Sequence, residues 1–169
     1  MPRKSINTRE MDGFWRNPSR RWVDQCFVTL TFLLFVAPAA HASEIRTLLL
    51  NGEFAVLEEK ISKLREGVET DIALEAELDV MLDAFNVPTA EITEPLDRWV
   101  AASPGSDIAL LPTGIHRTAV GWELRGNNFA PKTTRRKFRN MRESMAHPWE
   151  DLENALKINP RSIHAHAYQ

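Results

Sequence analysis

Between Phe54 and Leu156, apolar side chains recur at the three- and four-residue steps of an α-helix, and glycine or proline interrupts them repeatedly. Phe54, Leu57, Ile61 and Leu64 make one stripe, on a helix expected to end at Gly67. Leu74, Leu78, Met81, Leu82 and Phe85 make the next, capped by Asp71 and stopped by Asn86-Val87-Pro88. Ahead of them, Ser43 is the N-cap expected for a shorter helix, Glu44 to Asn51, closed by Gly52. After Ala42 no run of β-branched residues alternates as a half-buried strand requires. Short helices hide their stripes only against one another. The fold expected is therefore all-α, about seven or eight short helices in antiparallel pairs.

The middle of the chain carries the indoles. Thr93 caps a helix with Pro95 in its first turn, where the missing N–H costs little, and that helix holds Leu96, Trp99 and Val100. Ser106 caps the following one, which ends at Trp122 and Gly126. Pro112 lies inside it, removes a backbone hydrogen bond and crowds the preceding turn, so a kink or break is expected there. A basic helix follows from Thr133, with Phe138, Met141 and Met145 on one face. Pro148 opens another with Trp149, Leu152, Ala155 and Leu156. Spaced in this way, Trp99, Trp122 and Trp149 are expected in the core, with each indole N–H finding a carbonyl.

Two resemblances follow from these residues. Trp99, Pro104, Ser106 and Ala109 spell W-x-x-x-x-P-x-S-x-x-A, and Trp122, Arg125 and Gly126 spell W-x-x-R-G. This pattern resembles the bacterial domain-of-unknown-function 4034 family over roughly Ile45 to the C-terminus. The resemblance implies a continuous helix where Pro112 stands, and it carries no assigned chemistry or catalytic residue. The last segment, with Ala155-Leu156, Pro160 and Ala165, is similar to a tetratricopeptide repeat junction. A lone half-repeat does not bury its own face. Either the chain is a shortened member of a longer family, or Ile163 to Gln169 frays or docks on another chain.

Residues 1–42 have a different character. Arg3, Lys4, Arg9, Arg16, Arg20 and Arg21 precede an uncharged apolar run from Cys26 to Val36, and Ala40-His41-Ala42 follows as an A-x-A cleavage site. Basic region, short apolar run and small-residue site together define a secretory signal peptide, expected to be cut after Ala42. The apolar run is too short for a bilayer span of about 20 residues. Ser19-Arg20-Arg21 resembles a twin-arginine signal, but Val23, Asp24 and Gln25 depart from its continuation. Met11 is a second candidate start. Residues 43–169 then form one exported domain, periplasmic or secreted, with no transmembrane span. Cys26 is the one cysteine and leaves with the signal, which excludes a cysteine nucleophile, a disulfide or a thiolate metal site.

The remaining chemistry is sparse. His164 and His166 stand two apart, which sends them to opposite sides of a helix, whereas a helical metal site wants i,i+4 spacing. Glu75, Asp79 and Asp83 repeat at i+4 and read as a solvated face opposite Leu74 and Leu78. There is no phosphate loop, G-x-S-x-G elbow or calcium loop, and no cofactor is implied. His116, with carboxylates near Trp122, is the one constellation that an envelope enzyme could use.

Charge is more informative. Glu44 to Asp97 holds 14 acidic residues against four basic ones, whereas from Arg117 to Arg142 eight basic residues face only Glu123. Either the halves attract, or the Lys132–Arg142 segment meets an anionic partner through Arg125, Arg135, Arg136, Lys137 and Arg139. Export, and a mature net charge of 15 basic minus 20 acidic residues, argue against nucleic acid. The sequence thus points to a non-enzymatic protein–protein interaction module of the envelope. The alternatives are an enzyme built on His116 and a binder of lipid or lipopolysaccharide.

Overall fold

The computed structural model describes residues 42–169, and no strand occurs among them. Helix α1 covers residues 42–51 of the described chain. It is followed by α2 (Phe54–Val68), α3 (Glu75–Asp83), α4 (Thr93–Ala102), α5 (Asp107–Arg125), α6 (Arg135–Ser144), α7 (Ala146–Ile158) and α8 (Ile163–Ala167). The all-α expectation holds. The basic leader, Cys26, the twin-arginine motif and Ala40 lie outside the described residues.

The helix ends follow local chemistry. Gly52 ends α1 at φ 76°, a conformation that side chains with a Cβ avoid. Asp71 caps as expected, accepting from the Ala73 amide, but what it opens is a 3₁₀ turn, Ile72–Leu74, that leads into α3. Thr89 performs the same service for Ala90–Ile92, so Thr93 is the first residue of α4 and not its cap. Thr134 caps α6 through the Lys137 amide.

The other helices pack around α5. It meets α2, α4, α6 and α7, and every residue from Asp107 to Ile115, with His116, is buried. Pro112 neither breaks α5 nor ends it, and the helix is continuous from Asp107 to Arg125. A mid-helix proline costs about 3 kcal/mol in an exposed helix. Burial of Ile108, Leu111 and Ile115 on several neighbours at once offsets a penalty of that size.

Two glycines let helices approach α5 closely. A Cβ on Gly114 would sit 2.8 Å from both Cγ and Cδ2 of Leu152, a fully buried residue of α7. A Cβ on Gly121 would meet the terminal methyl of Met145 at 2.7 Å. Beside the first crossing, Arg117 bonds Asp151 of α7 at 2.6 Å and Asp97 of α4 at 2.7 Å, so one guanidinium joins three helices. Burial pushes the Asp151 carboxyl up, against the pull of Arg117.

Of the three indoles assigned to the core, Trp99 alone belongs there. It is fully buried, stacked on Phe54 at 6.1 Å and tilted against Phe85 at 6.2 Å. Its N–H donates to the Glu58 carboxylate at 3.1 Å, not to a carbonyl. Trp122 is 53% exposed and Trp149 49% exposed, which corrects the expectation for both. The buried face of α7 is Pro148, Asp151, Leu152 and Ala155, which leaves Trp149 beside the stripe with its N–H on Glu153. Trp122 lies past Gly121, the last buried residue of α5.

The chain's last helix neither frays nor points away. Ala165 is fully buried, Tyr168 packs on the core, and His164 bonds Asp79 of α3 at 2.7 Å.

The contrast between the glycines is testable by urea unfolding. Gly114→Ala should lose about 1–3 kcal/mol, because Leu152 has no room to move. Gly121→Ala should be neutral or gain up to about 1 kcal/mol, since a flexible methionine tip yields and alanine favours the helix.

Candidate functional site

The described surface offers two features with chemical character. The first is a groove of about 600 Å³ bounded by the second half of α2, by α3, by the start of α5 and by the α7–α8 turn. Its floor is apolar: Ile61, Leu78, Leu82, Ile108 and Leu111. Ile158 and Ile163 stand at its mouth, and Ile163 is 69% exposed. Arg65 and Asp107 close one wall with an ion pair at 2.5 Å between α2 and α5. The His164–Asp79 contact ties α8 to α3 close to the opposite wall. Glu66, Glu69 and Glu75 line the same groove and make no ion pair among the described residues.

The second feature is the corner where α5 gives way to α6. The Arg125 guanidinium lies 5.5 Å from the Trp122 ring and 5.6 Å from the Phe138 ring, sandwiched by the two. Of the residues expected to bind anions, Arg135, Arg136 and Arg139 are exposed and Lys137 is half-buried. The only ion pair that α6 makes among the described residues is Arg139–Glu143 within the helix, at 3.9 Å. The acidic and basic halves are therefore not joined through α6. They meet instead at Arg117 on Asp97.

His116 is not placed for proton transfer with solvent. It is 1% exposed, with Nδ1 2.8 Å from the Val87 carbonyl and Nε2 3.0 Å from Thr93 Oγ1. A carbonyl only accepts, so Nδ1–H donates to Val87 and Nε2 accepts from the threonine hydroxyl. Burial lowers the pKa of the ring, and Arg117 adds to that, against the Val87 bond and Asp97. Arg125 is engaged with the aromatic rings, and no hydrogen bond or ion pair joins the exposed Glu123 to either residue. The constellation of His116, Glu123 and Arg125 does not assemble. Likewise His164 turns to Asp79 while His166 turns to the Pro160 carbonyl. No group of three or more metal-ligating side chains converges among the described residues, and Glu75, Asp79 and Asp83 are not such a group.

Several residues that matter here were not marked by sequence pattern. Asp107 and Asp151 are buried acids that pair with arginines on other helices, and only an acid falling on an apolar face hints at this. Ile158 and Ile163 follow no helical stripe, because they flank a turn.

Set beside protein-family models, curated proteins and solved structures, the chain matches none of them. No helix among the described residues is long and apolar enough to cross a membrane.

The buried imidazole has a measurable consequence. As pH falls through about 6.5, the unfolded chain takes up a proton at residue 116 that the folded protein does not, so stability falls with pH. The loss is at most about 1.4 kcal/mol per pH unit. His116→Asn keeps a donor for Val87, and its melting temperature should fall less steeply between pH 7 and 5 than that of the parent.

Proposed function

We propose that this protein is an exported, non-enzymatic helical module that holds a segment of another protein in the groove between α2, α3, α5 and the α7–α8 turn. The observation that carries this reading is the combination of an apolar floor with Ile158 and Ile163 exposed at its mouth. Apolar surface rimmed by polar groups is characteristic of binding grooves. Glu66, Glu69 and Glu75, three acids without an ion pair among the described residues against one such cation in the groove, Arg161, favour a partner helix with an apolar stripe and basic residues beside it. The buried histidine and the paired Asp107 and Asp151 are engaged in holding helices together, which argues against a catalytic role for them.

The same proposal includes kinship with the domain-of-unknown-function 4034 family, resting on the Trp99-to-Ala109 and Trp122-to-Gly126 patterns. It also takes α7 and α8 as a tetratricopeptide-like half-repeat, in keeping with the small Ala165 packed at their junction. Periplasmic or secreted location rests on the basic leader, the apolar run and Ala40-His41-Ala42. Ala42 is helical and half-buried. Cleavage after it must therefore precede the packing of α1, as it does when a signal is removed during translocation. Amino-terminal sequencing of the protein from the envelope fraction should begin at Ser43.

A photo-crosslinking residue at Ile163 should trap a discrete partner band in envelope extract. Ile158→Glu, a surface change that spares the melting temperature, should abolish that band. A band that survives Ile158→Glu, or no band from any groove position, would overturn the groove as the recognition site.

A further inference from the structure

We propose that the α5–α6 corner is a second docking surface, and that its occupant is a membrane surface bearing anionic lipid headgroups. This goes beyond the groove reading and does not depend on it, because no groove residue lies in the corner.

Three observations converge on the corner. The first is exposed aromatic bulk at the end of α5 and just beyond it: Trp122 at 53% exposure and Phe129 at 82%. Phe129 is presented and not merely loose, since Thr133 Oγ1 reaches the carbonyls of Asn128 and Phe129 at 3.1 and 3.2 Å. The second is cationic surround without counter-charge. Lys132, Arg135, Arg136 and Lys137 make no ion pair among the described residues, and Arg139 only the long contact within α6. In the segment from Trp122 to Ser144 the acids are Glu123 and Glu143. The third is that α5 and α6 are tied together at this corner. Arg125 bridges Trp122 of α5 to Phe138 of α6, and Lys137 Nζ comes within 3.0 Å of where a Gly126 Cβ would be.

Exposed aromatic rings followed directly by a run of unpaired lysine and arginine match the two layers of a bilayer interface. The apolar groups enter the acyl boundary, and the cations stay among the phosphates. A single-stranded nucleic acid would also meet cations and rings, but it needs open ring faces on which bases can stack. Here Arg125 lies over Trp122 and over the half-buried Phe138, so Phe129 is the ring left most open, and one ring is no platform for successive bases. The lipid surface is the better fit.

The test is vesicle flotation of the protein as recovered from the envelope fraction, beginning at Ser43, so that the basic and apolar leader does not itself hold the vesicles. Vesicles of phosphatidylcholine mixed with phosphatidylglycerol should bind the parent, and added salt should weaken the binding. Phe129→Ser should lose roughly tenfold in affinity, the transfer of one phenyl group. Arg135→Glu with Arg136→Glu should lose more than tenfold, at roughly fivefold or more for each cation removed. Ile158→Glu should bind vesicles like the parent, which separates this surface from the groove. Parent-like binding by Phe129→Ser, or by the double arginine variant, overturns the proposal. So does preference for a single-stranded oligonucleotide over the anionic vesicles in direct competition. All the variants change exposed side chains, and unchanged circular dichroism and melting curves confirm that each remains folded.

Discussion

The crossing of α5 and α7 is the contact on which the rest of this architecture depends. Gly114 gives Leu152 a place to lie against the α5 backbone, and α5 in turn is the helix that α2, α4, α6 and α7 share. At that crossing the energetics are mixed in kind. Leu152 contributes apolar burial, which is tolerant of direction, while Arg117 contributes bonds to Asp151 and Asp97 that fix direction. A partly buried arginine between two acids adds little net stability compared with a well-packed apolar triad. Its value lies in allowing one rotation of α7 and α4 about α5. Other rotations leave Asp151 buried without its cation.

Trp99 makes a smaller version of the same arrangement. Its ring faces Phe54 of α2 and Phe85 at the end of α3, and its N–H is tied to Glu58. Helices α2, α3 and α4 thereby close on an aromatic cluster, and the later ones close on a crossing of backbones. The acidic and basic halves of the sequence do not neutralise each other along their length. The basic helix is left facing water with its charges largely unmatched, and that is what makes its corner available to an external anion.

Much of this was legible in the sequence, for reasons that can be named. The α2 and α3 stripes stood out because their period is regular, although α2 runs past Gly67 to Val68. Leu57, Ile61, Leu78, Met81 and Leu82 are buried accordingly. Trp99 was legible for the same cause. Pro112 misled because local rules assign it the cost of breaking a helix, whereas burial on several sides is a property of the folded neighbours. Trp122 and Trp149 misled because an indole at helical spacing says where a face points and not whether another helix covers it. The groove was illegible altogether: its residues come from four separate segments, and no spacing along the chain encodes their meeting.

The junction between α6 and α7 has no loop. Met145 alone stands between Ser144 and Ala146, the last residue of one helix and the first of the next, and its methyl rests against Gly121. The facing of the basic helix is therefore indexed to the core like a gear tooth to a shaft. One inserted residue at this point would turn α6 by about 100° about its own axis. The cations would then swing to another side, and Phe138 would turn away from Arg125 and from α5. The compass bearing of the charged face is therefore set by the same junction that seats Met145 beside Gly121.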